Sequence, residues 1–209
     1  MSDLAVRTAT SLLLIAAALL AAVQGGMVFA VFVAAIATLM FYEWTRLVRG
    51  WGPAWYIGGF FYAALPALAL LYIREPAEGL VLLVWVFIIT WSTDIGGYFV
   101  GRSFGRRKLA PTISPNKTVE GLVGGIIAAT LLGGLWAFLT GLGGALYLAA
   151  PLFALWAQLG DLFESGMKRR ANVKDSGSFL PGHGGVLDRL DGLVPVALFT
   201  AVLQLGGLT

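Results

Sequence analysis

Asp161, Glu164, Ser165 and Lys168 stand at i, i+3, i+4 and i+7 in a chain of 209 residues. On a helix that spacing puts two carboxylates, a hydroxyl and a cation on one face. Lys174 and Asp175 come next, then the turn-forming stretch Pro181, Gly182, His183, Gly184 and Gly185. Asp188 and Asp191 follow three residues apart, with Arg189 between them. Glycines let backbone amides approach a ligand closely. Hard carboxylate oxygens beside basic groups describe a Mg²⁺ site that holds a polyphosphate, the lysines and arginines taking the outer phosphate oxygens. A solvated charged loop is the plainer reading of the same residues.

A second segment offers complementary chemistry. Asp94, Gly97, Tyr98 and Gly101 share a helical face, with Arg102 next. Further on stand Ser114, Pro115, Asn116, Lys117, Thr118 and Glu120. Ser114 or Thr118 can serve as an N-cap, Pro115 suits a first helical turn, and Glu120 suits the positive end of a helix. A helix start with free N–H groups and a lysine is a ready anion site; a plain capped helix entry is the alternative. Glu43, by contrast, reads as a structural carboxylate paired with Arg46 one turn on.

The elements that must hold these groups are apolar. Hydrophobic residues make up 58% of the chain and charged residues only 12%, about half the charge of an ordinary soluble domain, and the mean hydropathy is +0.85. Seven stretches approach the ~20 residues a spanning helix needs, at about 5–23, 27–48, 54–73, 79–100, 119–140, 144–165 and 187–206. The expected architecture is an all-α, polytopic transmembrane helical bundle forming a single integral domain over 1–209, with N-terminal spans in 1–78 and the catalytic spans and loops in 79–209. Residues 121–134 are rich in glycine, as close small-xxx-small helix packing requires. The first span is expected to be retained, because Gln24 before Gly25 and Gly26 makes a poor signal-cleavage site.

Of the 14 basic residues only Arg74 falls on the opposite side of this arrangement. The positive-inside rule therefore puts the amino terminus and the polar connections 101–118 and 166–186 in the cytoplasm. The absence of cysteine excludes disulfides and thiolate chemistry. His183, the one histidine, excludes a multi-histidine metal centre within the chain.

Residues 165–191 resemble the signature of the phosphatidate cytidylyltransferases: Ser165, then Lys168-Arg169, Lys174-Asp175, His183-Gly184-Gly185, and Asp188-Arg189 with a terminal Asp191. The segments around Asp94 and around Ser114 to Glu120 look like the family's upstream motifs, so the resemblance covers about 90–195. It implies transfer of the cytidylyl group of CTP to phosphatidic acid, dependence on Mg²⁺ with room for a second, monovalent cation such as K⁺, and a homodimer. It also implies a multi-pass protein of the cell inner (plasma) membrane, with the bilayer as its setting and no nucleic-acid partner. Another lipid phosphate, such as an isoprenoid-ether lipid, is the alternative acceptor, and an anion transporter the alternative class. On this reading Asp161 and Asp188 hold metal, with Asp94 and Glu164 as further ligands. Lys117, Lys168, Arg169 and Lys174 meet phosphate, with Ser114 and Asn116 beside them. His183 hydrogen-bonds a phosphate or protonates the leaving group. Asp175 and Asp191 orient the cations, and Arg189 contacts phosphate or an acidic neighbour.

Overall fold

With no water to satisfy backbone groups in a bilayer, an apolar run must close its own hydrogen bonds, and the helix does so within one segment. The computed structural model describes residues 3–180, 182 and 184–209, with side chains from residue 10 onward. His183 and Pro181 lie outside the described residues. Each apolar run forms a helix: α1 (Asp3–Gln24), α2 (Gly26–Leu47), α3 (Pro53–Arg74), α4 (Gly79–Phe104), α5 (Val119–Thr140), α6 (Ala145–Arg170), and the short α7 (Leu187–Leu190) and α8 (Leu193–Leu205). Among the described residues, α2 to α6 are each long and apolar enough to cross a bilayer. The protein is a polytopic helical membrane protein.

Two departures from expectation bear on the site. The run at 187–206 is broken between α7 and α8. Proline has no N–H to give the carbonyl four residues back, so Pro195 cannot bond to Asp191, whose carbonyl instead lies against Gly160 of α6. Asp188 and Asp191 therefore sit on separate pieces of chain rather than on one opening helical turn. The connection after α4 is also ordered into an antiparallel ribbon, β1 (Lys108–Ala110) with β2 (Ser114–Thr118), pairing Lys108 with Thr118 and Ala110 with Ser114. Its turn closes through Ile113 N–H to the Ala110 carbonyl, 3.2 Å, with Pro111 at the position such a turn favours.

The chain divides into two compact units, residues 1–80 with 167–190 and residues 81–166 with 191–209. In the first, α2 packs on α3: the Trp44 indole donates to the Trp55 carbonyl (2.7 Å) and lies 4.8 Å from the Tyr62 ring. Arg74, the basic residue set apart from the others, caps the end of α1 by donating to the carbonyls of Ala22 (2.6 Å) and Val23 (3.2 Å). A cation there meets the negative end of the helix.

In the second unit the glycines of α5 let it approach α4 closely. A Cβ on Gly125 would stand 2.6 Å from the Thr93 carbonyl, and one on Gly124 would overlap Val100. This is the small-residue packing that the sequence suggested. Indole N–H groups tie the same seam, Trp85 to the Gly133 carbonyl (3.1 Å) and Trp136 to the Val81 carbonyl (3.0 Å).

Candidate active site

Lys117 is held from both sides along the chain. Thr118, not Ser114, caps α5: its backbone is extended and its hydroxyl accepts from Gly121 N–H at 3.1 Å. Pro115 lies in β2 rather than in a helical turn. Glu120 does more than sit in the first turn of α5, because its carboxylate accepts from the backbone N–H groups of Arg106 (3.0 Å) and Arg107 (3.2 Å), fastening the start of the ribbon. So braced, Lys117 puts its ammonium 2.5 Å from Asp161 and donates to Gln158 at 2.9 Å. Ser165 donates to the other oxygen of Asp161, at 3.2 Å and one turn along α6. Lys117 and Asp161 keep 20% and 28% of their side-chain surface, so a solute can reach them.

Asp191 faces this pair. It is half-buried, and Asp161 and Asp94 are the carboxylates that act on it, with Lys117 opposing them. Glu164, on the same stretch of α6, is only 2% exposed. Asp94 is exposed on α4; Ser114 is half-buried and Asn116 exposed on β2. Among the described residues, no three carboxylates stand close enough as placed to ligate one ion. The chemistry of the set nonetheless suits a cation: the hard carboxylates of Asp94 and Asp161 act on Asp191, and Lys117 alone opposes them, which leaves the set net negative.

The first unit holds the second lysine–carboxylate pair. The α6 helix ends with Asn172 in the left-handed region (φ 56°) and Val173 N–H returning to the Lys168 carbonyl at 2.9 Å, a helix ending that asparagine tolerates. Arg170 is laid over Trp51 and Trp55, 4.3 and 5.0 Å from their ring centroids. Lys168 donates to Asp188 at 2.6 Å, and the two side chains are only 12% and 5% exposed. The other oxygen of Asp188 accepts from Ser176 N–H (3.0 Å) and Gly185 N–H (2.8 Å). Leu180 N–H bonds to the Gly184 carbonyl (3.0 Å), and Asp175 packs against Gly184. Lys174 and Arg189 are exposed, and so is Arg169, whose guanidinium reaches the Val173 carbonyl at 3.5 Å.

Glu43 is the residue that sequence reasoning undervalued. It does not serve Arg46, which is exposed with its guanidinium 5.8 Å from the Tyr42 ring. It is 1% exposed and accepts from Val186 N–H (3.0 Å), Leu187 N–H (2.9 Å) and the Ser176 hydroxyl (3.1 Å). A carboxylate inside an apolar run was the available signal; its partners, more than a hundred residues away, were not visible.

The chain matches the profile of the Cytidylyltransferase family over residues 51–205, which takes in both lysine–carboxylate pairs. The chain belongs to that family. Over 257 aligned positions it is 38% identical to a phosphatidate cytidylyltransferase of Brucella suis, covering 99% of this chain and 94% of the relative. The alignment is longer than the chain, so the relative carries segments that this one lacks. The phosphatidate cytidylyltransferase of Bacillus subtilis is 48% identical over 124 residues, 58% of this chain and 46% of that one. That of Haemophilus influenzae is 44% identical over 136 residues, 61% of this chain and 47% of that one. Glu43 lies outside the family match.

Proposed function

We propose that the protein transfers the cytidylyl group of CTP to phosphatidic acid, giving CDP-diacylglycerol and pyrophosphate. The observation that carries this is the pair of lysine–carboxylate contacts, Lys117 with Asp161 and Lys168 with Asp188, each at the end of an apolar helix. Family membership and the relatives' names support the same reaction. The distribution of basic residues supports a multi-pass protein of the inner membrane with these loops in the cytoplasm, where CTP is found. A homodimer belongs to the same proposal.

An oxygen of the phosphatidate phosphate attacks the α-phosphorus of CTP. The bond to the β-phosphate bridging oxygen breaks, and pyrophosphate leaves with that oxygen. The second pKa of a phosphate monoester is about 6, so the nucleophile is already largely ionised and needs little general base. The work left to the protein is alignment and charge neutralisation. Lys117 and Lys168 supply ammonium groups that can exchange a carboxylate for a phosphate oxygen, and exposed Lys174, Arg169 and Arg189 extend that positive field. Asp161 with Asp94 and Glu164 in the one unit, and Asp188 in the other, are the carboxylates that would serve Mg²⁺, with room for a monovalent cation such as K⁺; Asp191 and Asp175 orient the cationic side chains. Bound Mg²⁺ would supply neutralisation of the triphosphate charge.

The test is purified protein in detergent–phosphatidate mixed micelles with α-labelled CTP, Mg²⁺ being present or chelated. Label should enter a chloroform-soluble product only with both Mg²⁺ and phosphatidate. Folded protein that labels no lipid, across several lipid phosphates and divalent cations, would overturn the reading.

A further inference from the structure

Ser176 is gripped twice. Its N–H goes to Asp188 and its hydroxyl to Glu43. Gly185 N–H goes to Asp188 while the next two N–H groups, of Val186 and Leu187, go to Glu43. The two carboxylates thus divide five donors from one loop, and each holds what the other leaves. Asp188 and Lys168 belong to the transfer chemistry; Glu43 comes from α2, outside the family match. The loop is built around it. A Cβ on Gly177 would overlap the Glu43 carboxylate, and one on Gly185 would stand 2.5 Å from it.

A buried carboxylate keeps its place in an apolar helix only when donors satisfy it. Here the donors are the backbone of the loop itself, so the position of Glu43 sets the position of the loop. We propose that Glu43 is a positioning residue of the transfer site: it fixes Ser176 and residues 185–187 so that Asp188 receives Ser176 and Gly185 on one oxygen and presents the other to Lys168. Glu43 touches no substrate. It acts through the geometry it imposes on Asp188. The proposal rests on the transferase reading and deepens it.

Glu43→Gln keeps the shape but exchanges one acceptor for a donor, which must then face either Val186 N–H or Leu187 N–H. The variant is assayed for cytidylyl transfer and, separately, for amide hydrogen exchange without substrate. The expected result is a kcat at least tenfold below wild type with the KM for phosphatidate within twofold. Exchange is expected to be tenfold or more faster at the amides of Ser176 and Gly185, whose N–H groups go to Asp188 rather than to Glu43. A role confined to local packing would speed exchange at 186 and 187 alone. Gly177→Ala, which pushes on the same carboxylate, should reproduce both effects.

Wild-type kcat in folded Glu43→Gln, or unchanged exchange at Ser176 and Gly185, overturns the proposal. So does failure of both Glu43→Gln and Gly177→Ala to accumulate as folded protein, which would make Glu43 a stability residue. Failure of the transferase reading shows differently, as no lipid labelling by wild-type protein, and the exchange measurement stands apart from it.

Discussion

Asp188→Asn is the perturbation with the most readable consequence. One oxygen of the side chain accepts from Lys168, and the other accepts from Ser176 and Gly185. An asparagine has one acceptor oxygen. If it faces the two amides, its NH₂ meets the Lys168 ammonium; if it faces Lys168, two backbone donors lose their partner. Removing one member of a buried pair costs about 3–5 kcal/mol, and exposures of 12% and 5% favour the lower end. At about 1.4 kcal/mol per decade, a loss of ~3 kcal/mol from the closed loop speeds amide exchange at Ser176 and Gly185 by ~10²-fold. Hydrogen exchange followed by mass spectrometry of peptides covering the two sites reads this directly. Adding Lys168→Met should recover at least tenfold of the lost protection, because the asparagine oxygen can then serve the amides without its NH₂ being turned onto an ammonium. Transfer activity should not return, since the double variant lacks both groups. Exchange in Asp188→Asn within threefold of wild type would refute the view that this pair holds the loop.

Asp161→Asn should abolish lipid labelling while the protein stays monodisperse and helical, because its contact with Lys117 is partly exposed and such pairs add little to stability, about 1 kcal/mol or less; measurable turnover at ordinary Mg²⁺ would remove Asp161 from the site. Arg106, Arg107 and Lys108 are exposed on the ribbon, and a basic residue near an anionic leaflet contributes about 1 kcal/mol. Changing all three to glutamine should raise the KM for phosphatidate at least tenfold at low salt with kcat nearly unchanged, in mixed-micelle kinetics. Gly125→Val puts branched carbon where the Thr93 carbonyl stands 2.6 Å from a Cβ, and should abolish recovery of monodisperse protein by size-exclusion chromatography.

Most of the helices were legible because a run that must live in lipid has few conformational choices, and their bounds moved by only a few residues. What escaped was decided by contacts distant in sequence or by single backbone groups. The ribbon at 108–118 is too short for a period to show, and Pro115 next to a capping residue reads as a helix start; the chain instead spends 114–118 pairing with 108–110 and leaves the cap to Thr118. The break before α8 follows from one missing N–H at Pro195, in a segment whose hydropathy is uniform. The site residues divide the same way. Lys168 and Asp161 could be placed by helical spacing, and the motif around Asp188 by its density of charge and glycine. Gln158 as a partner of Lys117, 41 residues away, and Glu43 as the holder of the loop could not.

The reach of Glu43 across the sequence also sets an order of events during synthesis. Its donors, Ser176, Val186 and Leu187, come 133, 143 and 144 residues later. At ~5–20 residues per second, the ribosome delivers them roughly 7–30 s after Glu43 itself. For that interval α2 carries a carboxylate into the membrane with none of its final partners yet made, and the first unit cannot close until the chain has gone on to make most of the second. The newborn protein must therefore keep the Glu43 end of α2 wet, close to the headgroups or within the insertion machinery, and assembly of the loop is the step that finally dries it.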